Sequence, residues 1–163
     1  MIVFFTFHAS RFSNSQYEIR NTHDDAASAN ELLQGRNVSM PLTVIRTARP
    51  SPVWQESYVR VKKGQRLVID AEGAWSPDTR NRTCWCGADG IAKTPAGDGY
   101  RLPGTNIGAL IAKIGDVIFA VGSRYDNAAP ADGVIFLAMN ENPEYNNQAG
   151  ALLAQIIIFD DED

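Results

Sequence analysis

The sequence predicts an all-β protein, a β-sandwich of about eight strands. From Pro41 onward, apolar runs of strand length alternate with turns rich in Gly, Pro, Asn and Asp. No helical periodicity follows Gly35. The chain has 163 residues, of which 44% are hydrophobic, and this is enough for one domain with a buried core.

The first 39 residues differ from the remainder of the chain. The segment DDAASANELLQGR has the marks of one short helix, which Asp24 or Asp25 would cap and Gly35 would end. We therefore divide the chain into an N-terminal extension, 1–39, and a β-sandwich domain, 40–163. Both histidines, His8 and His23, lie in the extension, and no pattern pairs them with a nucleophile.

Three strands are expected before residue 76. The first ends at two prolines and the second ends at Lys-Lys-Gly, while the third shows the alternation of a half-buried strand, with its even-numbered residues toward solvent. Their indicative residues are Leu42, Val44 and Ala48; Tyr58, Val59 and Val61; and Leu67, Ile69 and Ala71, which alternate with Arg66, Val68 and Asp70.

A long polar stretch, 76–106, then interrupts the strand pattern. Loops of this length in compact domains tend to carry binding sites. Strands resume at 108–114, 117–121, 134–139 and 151–159, and the acidic end of the chain is expected to be solvated. The residues expected in the core include Leu67, Ile69, Leu110, Ile114, Phe119, Phe136 and Ile157.

Oxygen-bearing side chains cluster directly after the apolar strand that ends at Met139. Protein-bound Ca²⁺ takes six to eight oxygen ligands, so this loop is a candidate calcium site. The alternative is an ordinary turn, because Asn, Glu and Pro are also frequent turn residues. The loop contains Asn140, Glu141, Asn142, Pro143, Glu144, Asn146, Asn147 and Gln148.

Composition excludes several classes of partner. The formal charge of −4 gives no basic footprint for nucleic acid. No apolar run approaches the ~20 residues of a membrane-spanning helix. The apolar start lacks a basic flank, which predicts a cytoplasmic protein without a signal peptide and leaves later release open. Cys84 and Cys86 are too close for an unstrained disulfide and too few for a zinc site.

Several segments follow one another in the order of a known family: KKGQRLVIDAEGAW, GADG, IGALIAKIG, FAVGS, GVIFLAMNEN and YNNQAG. Over 42–159, this succession resembles the PA-IL family, the LecA-type calcium-dependent galactophilic lectins. The resemblance implies a jelly-roll-like β-sandwich of the galactose-binding-domain-like type. It also implies one Ca²⁺ at the end of the sheets, which coordinates two sugar hydroxyls.

Transferred residue by residue, the resemblance implies a ligand set for the ion. Glu141 takes the position of the acidic ligand, and Asn147 and Gln148 take those of the amide ligands. Glu144 and Pro77 take positions that contribute backbone carbonyls. The family usually has Asp and Asn where this chain has Glu141 and Gln148, and each change adds one methylene group.

Sugar contacts are expected from both loops. The His and Gln that give the family its galactose specificity map near Thr94 and Gly97, and this chain has neither a His nor a Gln there. Other groups of the long loop could replace them, since a sugar needs polar groups and an aromatic surface. The candidate sugar-binding residues are Glu141, Asn142, Asn147, Asp98, Tyr100 and Trp85, with Arg101 as a further polar group.

Two non-enzymatic functions follow from these observations. One is a lectin that binds galactose-like or related saccharides, free or in glycoconjugates, through Ca²⁺, with assembly into a homo-oligomer left open. The other is a PA-IL-like sandwich whose altered site has become an interaction or structural module. A glycosidase is disfavoured because it needs two carboxylates across a cleft, and no motif pairs Asp78, Asp89 and Asp98.

Overall fold

The computed structural model describes residues 40–159, which form two antiparallel four-stranded sheets. The predicted extension, 1–39, with its helix, and the acidic tail after residue 159 lie outside the described residues. The first sheet has the strand order β1-β8-β3-β6 and the second β2-β7-β4-β5. The strands are β1 (Leu42–Ala48), β2 (Gln55–Val61), β3 (Arg66–Ser76), β4 (Leu110–Ile114), β5 (Val117–Ala120), β6 (Arg124–Ala128), β7 (Gly133–Met139) and β8 (Ala149–Ile158).

The core forms between the sheets because alternate residues of each strand face inward. In the first sheet, Leu67 pairs with Ile158 and Ile69 with Ile156, and all four side chains are buried. The second sheet contributes Leu110, Ala112, Ile114, Ile135, Leu137 and Met139. These side chains form one core, so the predicted all-β sandwich is confirmed.

The prediction of the core is wrong for three residues. Leu67, Ile69, Leu110 and Ile114 are buried, whereas Phe119, Phe136 and Ile157 are only half-buried. In an unbroken apolar run the sequence does not show which residues face inward. The register turns Ile156 and Ile158 inward and leaves Ile157 outside, and Phe136 lies between the inward residues Ile135 and Leu137. Phe119 packs at the margin of the core, with its ring centroid 4.8 Å from that of Tyr125.

The outer face of β3 also departs from the prediction. Alternation predicts that Val68 meets solvent, yet this residue is only 2% exposed. Val68 is paired with Ile157 of β8 on one side and with Asp126 of β6 on the other. Neighbours on both flanking strands therefore cover it.

The sequence does not predict β6, whose residues RYDNA lack an apolar pattern. The strand pairs with β3, where Arg124 Nη1 donates to Asp70 Oδ1 at 2.7 Å. Asp126 accepts hydrogen bonds from both Arg66 and Arg124. Backbone pairing and exposed ion pairs thus hold a strand that contributes little to the core.

Strand β2 contains a bulge at the edge of the second sheet, where its register with β7 shifts between Glu56 and Arg60. Tyr58 has a φ of 60° and is 77% exposed. Arg46 of β1 donates through Nε to the carbonyl oxygen of Ser57 at 2.6 Å and lies 6.0 Å from the Tyr58 ring. The bulge therefore joins the edges of the two sheets.

The predicted long loop, 76–106, has local structure of its own. It contains one short 3-10 turn, Arg82–Cys84, and isolated bridges such as the one between Pro95 and Asn106. In the part of the chain that the structure describes, no helix is long and apolar enough to cross a membrane.

The register of β3 with β8 sets the position of the two candidate loops. Trp75 pairs with Gly150, and Ser76 pairs with Ala149. The loop that follows β3 therefore lies beside the loop that precedes β8. Gly150 has a φ of +91°, and a Cβ there would lie 2.5 Å from the carbonyl oxygen of Ala74, so only glycine fits.

Candidate functional site

The loop from 140 to 148 connects β7 to β8 and is fastened to the loop that follows β3. The Thr79 N–H donates to the Asn147 carbonyl at 2.9 Å. The side-chain amide of Asn147 donates to the carboxylate of Asp78. Hydrogen bonds from Arg80 hold the pKa of the Asp78 carboxyl below its usual value. The structure thus brings Asn147 and the segment of Pro77 together and places Asp78 beside them.

Glu141 is the buried carboxylate of this loop. The residue is 1% exposed, and its Oε2 has no hydrogen-bond partner among the described residues. Burial raises the pKa of its carboxyl to about 7, although Arg101, the backbone of Ser51 and the side chain of Gln148 favour the charged form. A buried carboxylate with a free oxygen is costly to the fold unless another group pairs with it.

Arg101 lies near Glu141 and is itself incompletely paired. Its Nη2 donates to the Ser51 carbonyl at 2.8 Å, and its guanidinium lies 5.2 Å from the Trp54 ring. Its Nε and Nη1 are buried without partners among the described residues. Burial lowers the pKa of Arg101, and the charge of Glu141 opposes this change.

Asn140 fixes the long loop next to this pair. Its Nδ2 donates to the carbonyls of Leu102, Thr105 and Asn106 at 2.9, 3.1 and 3.2 Å. Its Oδ1 accepts from the N–H of Leu102 at 3.0 Å. Asn140 is fully buried, and the sequence indicates it only as one polar residue after a strand. These hydrogen bonds fix Leu102, the neighbour of Arg101, to the residue that precedes Glu141.

The long loop presents its tip, 97–104, to the loop from 140 to 148. Backbone hydrogen bonds such as Ile107 N–H to Thr94 O and Ala96 N–H to Thr105 O, at 2.9 and 2.8 Å, pair the two sides of the tip. Burial and the neighbouring Tyr145 phenol raise the pKa of Tyr100. The structure therefore places two tyrosines together where the loops meet.

The loop from 140 to 148 also has internal hydrogen bonds. Asn142 Oδ1 accepts from the Glu144 N–H at 3.1 Å, and its carbonyl accepts from the Tyr145 N–H at 3.0 Å. Gln148 Nε2 donates to the Tyr145 carbonyl at 2.8 Å. These bonds organise the loop from its own residues.

Two of the predicted sugar-binding residues, Trp85 and Asp98, form no described hydrogen bond or ion pair with the loop from 140 to 148. Trp85 follows the 3-10 turn and is 47% exposed. Asp98 lies exposed in the tip. Cys84 and Cys86, which flank Trp85, are free and half-buried.

The candidate donor atoms are oxygens, the ligand type that a hard cation such as Ca²⁺ binds. Within residues 40–159, no three His, Cys, Asp or Glu side chains cluster as a metal site. The ligand set that the family resemblance implies is of another kind, because it combines one carboxylate with amide and carbonyl oxygens. Asn147 and Gln148 use their amide nitrogens as donors, so their side-chain oxygens stay outside the described hydrogen bonds. Glu141 Oε2 is likewise unpaired, and Gln148 must rotate its amide to direct its oxygen toward that carboxylate.

The chain was compared with protein families, curated proteins and solved structures. No family model and no curated protein matches the chain. Among solved structures, it is similar to one described as the EclA N-terminal domain, a PllA-like lectin, with a TM-score of 0.54 and 17% identity. The likeness covers 70% of this chain and 94% of the other. At this level of identity the likeness shows the fold alone, so the chain folds like a PllA-like lectin domain.

Proposed function

We propose that this protein is a non-enzymatic lectin that binds galactose-like or related saccharides through Ca²⁺ held in the loop from 140 to 148. The observation that carries the proposal is Glu141, a fully buried carboxylate whose Oε2 has no partner in the described structure. A bound cation would pair this oxygen and remove the cost of its burial.

The proposed ligands have distinct roles. Glu141 supplies the charge, while Asn147 and Gln148 supply neutral side-chain oxygens. Pro77 and Glu144 supply backbone carbonyls, which are outside the described hydrogen bonds. When bound, the ion supplies positive charge and open coordination positions that vicinal hydroxyl oxygens of a sugar can occupy. Asp78, hydrogen-bonded to Asn147, fixes the direction of that amide.

Residues at the junction of the two loops would contact the rest of the sugar. Tyr100 and Tyr145 lie together there, and Asn142 belongs to the same loop as Tyr145. Aromatic rings favour the C–H surface of a pyranose, and amide groups favour its hydroxyls. The similar solved structure is described as a PllA-like lectin, which supports a saccharide as the ligand.

A second candidate function is a metal-free interaction or structural module. The internal hydrogen bonds of the loop favour it, because Asn142, Gln148 and Asn147 already have partners within the chain. A loop organised in this way does not need an ion to keep its shape.

Calcium titration with a matched pair of variants tests the proposal. Glu141→Gln removes the charged ligand and should abolish both Ca²⁺ binding and saccharide binding in calorimetry. Glu144→Gln is the control, because Glu144 is exposed and is expected to contribute only its carbonyl. It should bind Ca²⁺ like the natural protein.

Thermal unfolding supplies an independent readout. A ligand that binds only the folded state at ~100-fold excess over its Kd stabilises that state by ~2.7 kcal/mol. We therefore expect Ca²⁺ to raise the melting temperature of the natural protein and EDTA to reverse the rise. An unchanged melting temperature in Ca²⁺ would favour the metal-free module, and saccharide binding in EDTA would remove the ion from the site.

A further inference from the structure

Exposed apolar side chains concentrate along one edge of the sandwich, which we call the β1–β2 edge. Each of these strands lies at the end of its sheet. Of the nine large hydrophobic side chains that are exposed among the described residues, five belong to β1, to β2 or to residues that flank these strands. They are Met40, Leu42, Ile45, Val53 and Tyr58. Apolar groups gathered in one surface region are typical of a protein–protein interface.

Strand β1 keeps free backbone groups on its outer side. In an antiparallel ladder, alternate residues of a strand direct their N–H and C=O groups to opposite sides. The Phe159 N–H donates to the Arg66 carbonyl at 3.2 Å, so the odd-numbered residues of β8 bond to β3 and the even-numbered ones to β1. By the register of β1 with β8, the odd-numbered residues of β1 therefore point away from β8. They are Thr43, Ile45 and Thr47.

This outer side of β1 is open to a further strand. The register of β1 with β8 runs from Leu42 to Ala48 without a bulge. Among the described hydrogen bonds, the Ile45 carbonyl accepts one from Arg46 Nη1 at 3.0 Å, and the backbone groups of Thr43 and Thr47 have no further partner. An unbulged edge with free N–H and C=O groups can pair with a strand of another molecule.

A second copy of the chain fits this edge about a two-fold axis. Antiparallel pairing centred on Ile45 would bring the two Ile45 residues opposite each other. It would also bring Thr43 of each copy opposite Thr47 of the other, so that their free backbone groups exchange hydrogen bonds. An arrangement of this kind uses the same surface on both copies and closes on itself.

The position of β2 relative to this axis follows from two hydrogen bonds. The Arg49 N–H, just after β1, donates to the side chain of Gln55, the first residue of β2, at 3.0 Å. The two strands therefore run in opposite directions. Nearer their middle, Arg46 Nε donates to the Ser57 carbonyl at 2.6 Å. The centre of β1 thus lies beside the centre of β2.

The same axis makes the charges of β2 complementary between copies. An axis through Ile45 passes close to Tyr58, and the exposed residues Glu56 and Arg60 lie two positions to either side of Tyr58. Glu56 of each copy would therefore face Arg60 of the other. Neither residue belongs to an ion pair among the described residues. Opposite charges that meet across an interface favour the matching partner, here a second copy.

We propose that the β1–β2 edge is a homodimer interface, in which the β1 strands of two copies pair antiparallel about Ile45 and Glu56 of each copy pairs with Arg60 of the other. Strand addition supplies backbone hydrogen bonds, and the apolar side chains of the edge gain burial. The proposal does not depend on metal or saccharide binding.

Sedimentation equilibrium of the full chain tests the interface with a charge swap. The natural protein should be a dimer at concentrations above about 1 µM. Glu56→Arg and Arg60→Glu each place like charges opposite each other at two symmetric positions, so each should raise the dissociation constant about ten-fold or more. The double variant restores opposite charges and should return the dissociation constant to within about three-fold of the natural value.

Thr47→Pro tests the backbone pairing separately. Proline removes an N–H that β8 does not use, and edge strands tolerate it at such a position. The variant should keep the circular dichroism of the natural protein and sediment as a monomer. Glu72→Arg is the control for charge, because Glu72 is exposed on β3, away from the edge, and its reversal should leave dimerisation unchanged.

A natural protein that stays monomeric would overturn the inference, whatever else covers the edge. A dimer that survives both single charge reversals and Thr47→Pro would show that the copies meet on another surface, which also overturns it. A double variant no tighter than the single ones would rule out the pairing of Glu56 with Arg60.

Discussion

Burial lowers the reactivity of the Cys86 thiol. It raises the pKa of the Cys86 thiol to about 11, and the neighbouring Cys84 acts in the same direction. A thiol reacts through its thiolate, so Cys86 should be almost inert near neutral pH. This sulfur lies close to the buried segment of Gly108, where an added Cβ would come within 2.9 Å of it.

We predict that a Cys84→Ser variant, in which Cys86 is the remaining thiol, reacts at pH 8 roughly 100-fold more slowly with a disulfide reagent than the same chain unfolded in guanidinium. The physical reason is the smaller thiolate fraction in the folded protein. Stopped-flow absorbance measures both rates. Equal rates would show that Cys86 is exposed and that the pKa of its thiol is not raised by the fold.

At the scale of residues, the sequence shows which candidate ligands share a loop but not which groups from other loops lie beside them. Glu141, Asn147 and Gln148 belong to one oxygen-rich loop, so a local pattern is enough to nominate them. The proximity of Arg101 to Glu141 depends on a contact between two loops, and no local pattern encodes it. The hydrogen bonds of Asn140 are equally hidden from local patterns, because its partners at 102, 105 and 106 come from a distant segment.

Glycine at the start of β8 controls how β8 meets β3. The space beside Gly150 is occupied by backbone atoms, with Ala74 O and Trp75 Cα both 2.5 Å from where a Cβ would lie. Backbone atoms cannot rotate away as a side chain can. This part of the strand pair therefore tolerates no side chain.

We predict that Gly150→Ala destabilises the protein by about 3 kcal/mol or more, because both the positive φ and the close contacts oppose a Cβ. Urea unfolding followed by tryptophan fluorescence measures the change. Gly97→Ala is the control, since nothing lies within 4 Å of the added Cβ. A Gly150→Ala variant as stable as the control would show that β3 and β8 are not paired as described.

Strands were predictable where apolar residues mark them. The sequence predicts β3, β4, β5, β7 and β8 within a few residues of their observed bounds. It fails for β6, whose ion pairs with Arg66 and Asp70 exist only once β3 lies beside it. Long-range pairing of this kind leaves no periodic pattern in the sequence.

Taken as a whole, the described residues contain one sandwich core to which both sheets contribute. Among these residues, the buried side chains of the core belong to 48–158. A hydrophobic core of its own is what allows a domain to fold independently. The division of the chain at residue 40 therefore stays a prediction that can be tested directly.

We predict that a chain beginning at Met40 remains soluble and unfolds cooperatively, with a melting temperature within a few degrees of that of the full chain. Circular dichroism of both proteins across a thermal ramp measures this. A truncated protein that aggregates, or that melts far lower, would show that residues 1–39 stabilise the domain.

The bulge in β2 has a consequence for contacts between molecules. An open sheet edge offers unpaired backbone groups on which a strand of another molecule could add. At this edge, Tyr58 turns the backbone out of strand geometry, and the Arg46 side chain already occupies the Ser57 carbonyl. A neighbouring chain therefore finds no continuous row of hydrogen-bonding groups at β2, so the sandwich resists growth into fibrils from this side.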